Sequence, residues 1–346
     1  MIRKTRQLVC PEAGVLEWRK IQVPEPGPNE VLIRATFAAP KHGTELGFYK
    51  GTVPQRGTLD EQLGLWRPGP SSWGYPAPLG NMLVGVVEQA GSHVDREVIG
   101  SRVAVYSPAQ EWALSDIADC WRLPEQLSAK SAVCLDPANF AFAAVRDGNV
   151  RIGDSVAVFG LGAIGLMAVA IARLAGANPV YAIDTLEERR MAALKLGSDA
   201  VFDLAVDDVA FDIKQTLPQA GADVAIEFRG SVPSLQQALR SVAFGGNVVM
   251  GAMPGPFPEG LDLGGEAHVN RPNLVFSRSC SDPNRDHPRW DEQRIVSDCK
   301  RLFEDGSLNG DPLVDRTVAF IDFLEGYQDI VAHPAQQIKL GVTFDS

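Results

Sequence analysis

Between residues 156 and 276, short and wholly apolar runs alternate with amphipathic stretches. The runs Val156-Ala157-Val158-Phe159, Val180 to Ile183, Ala200-Val201-Phe202, Val224-Ala225-Ile226, Val248-Val249-Met250 and Leu274-Val275-Phe276 have strand length and no charge. Unbroken apolarity over so few residues fits strands buried on both faces. The stretches between them predict helices over 163–175, 186–196, 209–217 and 232–242. In the second of these, Glu187, Glu188, Arg189 and Arg190 make a polar face. Strand–helix alternation at this spacing predicts an α/β domain with a doubly wound parallel sheet. The uncharged run from Ser155 to Ala172 nears the length of a membrane span. Gly160-Leu161-Gly162 divides it, so it reads as a strand and then a helix.

The turn after the first strand spells Gly160-Leu161-Gly162-Ala163-Ile164-Gly165, a GxGxxG. It follows a strand, opens a helix, and has Asp184 at the end of the next strand, the context of a dinucleotide-binding turn. Gly160 permits the tight turn, Gly162 lets a pyrophosphate approach the backbone, and Gly165 lets the helix sit close to the strand. The amides of Ala163 and Ile164 open the helix, where its dipole favours an anion. Asp184 is placed to accept the adenosine ribose hydroxyls and to repel a 2′-phosphate, which favours NAD over NADP. Arg189 lies one helical turn on; it either softens that preference or belongs to an exposed helix face.

A chain of 346 residues allows about two domains. Its composition is that of a globular protein, with 45% hydrophobic and 22% charged residues. Lys plus Arg number 32 against 43 Asp plus Glu, a net charge of −11 that disfavours nucleic acid or an anionic membrane as partner. Met1-Ile2-Arg3-Lys4-Thr5-Arg6 is followed by no apolar segment of the kind a secretory signal requires. The five cysteines, Cys10, Cys120, Cys134, Cys280 and Cys299, are odd in number and far apart. They fit neither a disulfide framework nor a structural zinc loop, and point to the cytoplasm.

Pro24-Glu25-Pro26-Gly27-Pro28-Asn29-Glu30-Val31-Leu32-Ile33, Val84-Gly85-Val86-Val87-Glu88, Ile99-Gly100-Ser101-Arg102-Val103 and Arg151-Ile152-Gly153-Asp154 occur in that order, and Asp311-Pro312-Leu313-Val314 leads towards Gly341-Val342. In order and spacing these segments resemble the landmarks of the medium-chain dehydrogenase/reductase superfamily, in its polyol and alcohol dehydrogenase branch. The resemblance implies a Rossmann domain over 122–282 and a GroES-like, mostly β catalytic domain split between 1–121 and 283–346. The other arrangement, two domains joined once, leaves the last 60 residues as a separate cap. The resemblance also implies homodimers or homotetramers built through the sheets of the nucleotide domains.

The family's zinc motifs are altered here. Where zinc-dependent members have a Cys in a C-G-T-D tetrad, this chain has His42-Gly43-Thr44-Glu45; where they have G-H-E, it has Gly80-Asn81-Met82. An acidic residue near the metal is matched by Asp136. Catalytic zinc takes three protein ligands and keeps one position open, so these departures speak against it. Without a metal, a general base must take the carbinol proton, a contribution of about 10²–10⁴-fold in rate. By resemblance Lys41, His42 and Thr44 stand at that place, with Thr44 matching a proton-shuttling hydroxyl and His42 as the acid/base. The alternative makes His42 a turn histidine and lets Thr44-Glu45 cap the next helix. Asn81 either bonds a substrate hydroxyl or shapes its turn. Arg278 and Ser279, after the last apolar run, match positions beside the nicotinamide.

Two further segments bear on the substrate. Between Gly51 and Gly80 lie Trp66, Trp73, Tyr75 and the prolines Pro54, Pro68, Pro70, Pro76 and Pro78. Aromatic faces there suit a sugar or cyclitol ring, or else a neighbouring subunit. The polar loop from Ser281 to Trp290, with His287 and Arg289, either closes on a small-molecule substrate or makes a solvated or oligomer contact. The chain thus reads as an NAD-dependent oxidoreductase acting on a secondary alcohol of a polyol, sugar or cyclitol. The alternatives are a zinc-free NADPH-dependent enone or quinone reductase, and a nucleotide-binding relative without catalysis.

Overall fold

The computed structural model describes residues 3–54, 56–69, 71, 74–257, 259–334 and 336–345. Met1, Ile2, Pro70 and Trp73, which entered the reading above, lie outside the described residues. The chain forms two compact units: unit 1 is Met1–Val133 with Val314–Ser346, and unit 2 is Cys134–Leu313.

Unit 1 begins with strands β1 (Arg3–Cys10), β2 (Glu17–Val23) and β3 (Glu30–Ala39), then helix α1 (His42–Tyr49). Strands β4 (Thr58–Asp60), β5 (Leu65–Arg67), β6 (Ala77–Pro78), β7 (Met82–Ala90), β8 (Arg102–Tyr106), β9 (Trp112–Asp116) and β10 (Trp121–Arg122) follow, with α2 (Ala129–Ala132) last. Unit 2 runs through α3 (Leu135–Asp147), β11 (Val156–Phe159), α4 (Ala163–Leu174), β12 (Val180–Ile183), α5 (Glu187–Lys195), β13 (Ala200–Phe202) and α6 (Val209–Thr216). It continues with β14 (Ala222–Glu227), α7 (Val232–Ser241), β15 (Val242–Met250), α8 (Glu266–Asn270), β16 (Asn273–Phe276) and α9 (Glu292–Glu304). The chain returns to unit 1 with β17 (Arg316–Ala319), α10 (Phe323–Ala332) and β18 (Leu340–Thr343).

The sheet of unit 2 is parallel, in the order β13-β12-β11-β14-β15-β16. Every residue of β11 and β12 is buried, which is why those runs carry no polar position. Order reverses between β11 and β14, the point at which a doubly wound sheet opens a crevice for a ligand. The run from Ser155 to Ala172 divides into β11 and α4 as the glycines require. Among the described residues no helix is long and apolar enough to cross a membrane.

In unit 1, β3 lies between β7 and β18 in a sheet of order β10-β8-β7-β3-β18-β17, with β9 also on β3. Two antiparallel registers place the site. Ala39 pairs with Met82, and Ala38 with Val342. The chain leaving β3 at Pro40, the chain entering β7 at Gly80 and the chain entering β18 at Lys339 therefore meet at one end of the sheet. Beneath them Leu8, Ile33, Leu79, Leu83, Phe323 and Tyr327 pack as a core.

The return to unit 1 comes at Val314, and unit 2 starts at Cys134, so both boundaries sit later than the expected 122 and 283. The segment from Ser281 holds to unit 2 by specific contacts. Asn284 donates its N–H to Asp147 (2.7 Å), and Arg146 bonds Asp286 (2.8 Å). The Arg146 and Arg294 guanidinium carbons stand 4.2 and 3.9 Å from the Trp290 ring centre. Through these bonds the segment is fastened to α3.

Candidate active site

On unit 2 the glycine turn has the form its sequence predicts. Gly160 has φ +88°, a left-handed conformation that glycine adopts without penalty. A Cβ on Gly165 would stand 1.9 Å from the Gly160 carbonyl oxygen, so any larger residue would lift α4 from β11. A Cβ on Gly162 would meet nothing within 4 Å, which leaves the backbone open on the ligand side. Gly162 is the N-cap of α4, and the first-turn amides of Ala163, Ile164 and Gly165 have no side-chain cap.

Asp184 ends next to this turn. Its side chain is almost fully buried, accepting the Leu161 N–H at 2.7 Å through Oδ2 and the Leu186 N–H at 3.0 Å through Oδ1. A carboxylate has about four lone-pair positions, so these two bonds leave acceptor capacity. Arg189 brings Nη1 to 3.8 Å from Asp184 Oδ2. Arg190 is committed elsewhere, to the Asp184 carbonyl oxygen (2.8 Å) and to Asp203 (3.0 Å).

A second turn lies against the first. At the end of β14, Glu227 accepts the N–H groups of Arg229 (2.8 Å) and Gly230 (2.9 Å). Its carboxyl is completely buried, and burial pushes its pKa above the usual carboxylate value. A Cβ on Gly160 would come within 2.9 Å of the Arg229 nitrogen, so Phe228-Arg229 forms the facing wall of the turn. The signal for it was a lone Glu closing an apolar strand. Arg278 and Ser279 follow β16 at the sheet edge, with β15 standing between that strand and β14; Arg278 is exposed.

On unit 1 the helix α1 starts at His42 with Lys41 as N-cap, so Thr44 lies inside the helix and does not cap the next one. Glu45 does the capping from within, Oε1 accepting the Lys41 N–H at 2.6 Å, while its Oε2 accepts the Gly80 N–H at 3.2 Å. Burial pushes the Glu45 carboxyl up to about 7, against those two bonds and the charges of Lys339 and Lys41, which pull it down. His42 Nε2 accepts the Leu340 N–H at 3.0 Å. Lys339, 3% exposed, donates Nζ to the Pro40 carbonyl at 2.9 Å. Asn81 donates its backbone N–H to Ala39 (3.0 Å), and its side-chain Nδ2 is buried without a hydrogen-bond partner. The structure thus brings Lys41, His42, Thr44 and Asn81 together on unit 1. Asp136 belongs to unit 2, buried in the first turn of α3.

Nothing in the sequence marks Lys339 for this place, because its partner Pro40 is remote in the chain. Near Gly51–Gly80, Tyr75 bonds the Phe48 carbonyl through its hydroxyl and Trp66 is 44% exposed on the β4–β5 hairpin. His287 pairs with Asp282 at 2.8 Å.

The polar groups around His42 are largely committed within the protein. Glu45 spends both oxygens on amides, His42 spends Nε2 on Leu340, and Asn81 offers an N–H donor. Among the described residues no three His, Cys, Asp or Glu groups gather as a metal site. The glycine turn, by contrast, fits a dinucleotide pyrophosphate.

A family model described as zinc-binding dehydrogenase matches residues 163–281. D-guloside 3-dehydrogenase of Escherichia coli (strain K12) is 42% identical over 329 residues, covering 91% of this chain and 93% of that protein. L-threonine 3-dehydrogenase of Pyrococcus furiosus is 27% identical over 335 residues, covering 88% of each. The crystal structure of 2R,3R-butanediol dehydrogenase from Bacillus subtilis shares the fold, with a TM-score of 0.79 at 23% identity over 98% of this chain and 99% of that one. The chain belongs to the medium-chain dehydrogenase/reductase superfamily, whose zinc-binding dehydrogenase family model it matches, and is an oxidoreductase acting on CH–OH groups.

Proposed function

We propose that this chain is an NAD-dependent dehydrogenase that oxidises a secondary hydroxyl of a sugar or polyol without catalytic zinc. The observation that carries the cofactor assignment is the open Gly160–Gly165 turn at the uncapped start of α4, with Asp184 at the end of β12. The identity to D-guloside 3-dehydrogenase supports a ring hydroxyl of a hexoside as the reacting group. The donor set around His42 supports chemistry without the metal.

Bound NAD supplies the hydride acceptor. The α4 amides hold the pyrophosphate, and Asp184 accepts the adenosine ribose hydroxyls with the lone pairs its two amide bonds leave over. Arg190 is tied to Asp203 and to the Asp184 carbonyl, which commits it within the protein. The Asn81 amide donates to the substrate oxygen. As hydride leaves the carbinol carbon, the hydroxyl proton passes to His42, directly or through Thr44, with Lys41 alongside. Because Nε2 accepts the Leu340 N–H, the neutral imidazole carries its proton on Nδ1. The incoming proton can enter only at Nε2, so the Leu340 bond has to open before His42 takes it.

The test is reduction of NAD and of NADP by the full-length protein, offered a methyl D-guloside and a panel of polyols and cyclitols, with and without chelator and with metal analysis. Turnover with NAD that survives chelation is expected. Stoichiometric zinc required for turnover, or enone reduction with NADPH alone, overturns this assignment.

A second copy of the chain is proposed as partner. Strand β16 ends the sheet among the described residues, with Leu274 45% and Phe276 66% exposed. An apolar edge strand of this kind invites pairing with another edge.

A further inference from the structure

Three chain segments far apart in sequence converge on the His42 end of unit 1, and one side chain touches two of them. Glu45 is 7% exposed and holds the Lys41 N–H on one oxygen and the Gly80 N–H on the other. The first bond belongs to the turn that presents His42 and Thr44; the second belongs to the turn that presents Asn81. Two further bonds secure the third segment, Lys339 Nζ to the Pro40 carbonyl and the Leu340 N–H to His42. Neither of these reaches Gly80. Beyond the backbone bond from the Asn81 N–H to Ala39, which continues the β3–β7 pairing, the Glu45 carboxylate adds a side-chain bond between 40–45 and Gly80.

We infer that Glu45 is a positioning residue, a two-oxygen clamp that fixes Asn81 relative to His42 and Thr44 so that one substrate hydroxyl meets both. This inference rests on the dehydrogenase reading for its catalytic consequence, though not for the clamp itself. Once ionised, the Glu45 carboxyl suits the task because both of its oxygens accept. An amide of the same size offers one acceptor and one donor, so Gln at this position sets N–H against N–H at Gly80 or at Lys41. Misplacement by about 1 Å at a reacting centre costs roughly 100-fold in rate.

The experiment uses the full-length protein as wild type, Glu45→Gln and Glu45→Asp. Three quantities are read: backbone hydrogen exchange over 39–45 and 79–82, the NADH dissociation constant, and kcat and KM for the best alcohol found. For Glu45→Gln, faster exchange in both segments together is expected, with kcat lowered roughly 10- to 100-fold and NADH affinity unchanged. Glu45→Asp keeps two acceptors on a shorter arm and recovers part of kcat. Unchanged exchange at Gly80 in both variants overturns the clamp. A loss confined to KM, or exchange changes without loss of kcat, overturns the positioning role. A wild type that oxidises no alcohol while Glu45→Gln still frees both segments upholds the clamp and overturns the function proposed above.

Discussion

The backbone N–H of Leu340 donates to His42 Nε2 at 3.0 Å, across 298 positions of sequence. That bond decides which ring nitrogen holds the proton, and it ties the chemistry of the turn to the start of β18. His42→Ala is expected to lower kcat by about 10²–10⁴-fold, the usual worth of a positioned acid/base. NAD affinity should stay at the wild-type value. Full turnover by His42→Ala at saturating substrate would remove His42 from the proton path, and nitrogen NMR of labelled histidine should report the Nδ1–H tautomer.

Asp184 offers a test of cofactor choice. It holds the Leu161 and Leu186 amides, so Asp184→Ala loosens the turn and, on the proposed reading, also removes an acceptor for the ribose. A hydrogen bond to a charged group is worth about 1.5–3 kcal/mol, or roughly 10- to 100-fold in NAD affinity. Steady-state kinetics with both cofactors should show the NAD:NADP preference falling by a similar factor. An unchanged ratio would take Asp184 out of cofactor selection.

Glu45 makes stability depend on pH in a stated direction. Burial raises its folded pKa from 4.5 to about 7, so the folded state holds a proton that the unfolded chain has released. That contribution is complete below about pH 4.5 and is lost as pH rises through about 7. The total is on the order of 3 kcal/mol. Glu45→Gln has no proton to lose at this site. Thermal melts should therefore show the variant's deficit against wild type shrinking as pH rises across that window; a constant deficit would place the folded pKa near its ordinary value.

Phe276→Lys should leave NAD binding intact and shift the molecule to a smaller assembly in light scattering. Phe276 is 66% exposed on the edge strand β16, and a lysine there blocks edge-to-edge pairing. An unchanged mass would assign the interface to another surface.

Unit 2 was legible from sequence because its strands are buried on both faces. Val156–Phe159 and Val180–Ile183 have no solvent side to record, and the GxGxxG spacing follows from how closely α4 must approach β11. Unit 1 was harder. The start of α1 at His42 hid behind an unremarkable Lys-His-Gly-Thr, and its cap is Glu45 reaching back, not Thr44. The convergence of Pro40, Gly80 and Lys339 is a matter of strand register, and no local pattern encodes a pairing such as Ala38 with Val342.

Unit 2 is one unbroken stretch, whereas unit 1 is assembled from two stretches with the whole of unit 2 between them. During synthesis the two units therefore mature in the reverse of their chain order. The ribosome has released all of Cys134–Leu313, enough to complete a nucleotide fold, while β3 still lacks β18 and His42 still lacks Leu340. Domains fold as units when their sequence is out, and pairings over long separations form late. A nascent chain can thus complete the unit that carries the glycine turn before His42 gains its Leu340 partner.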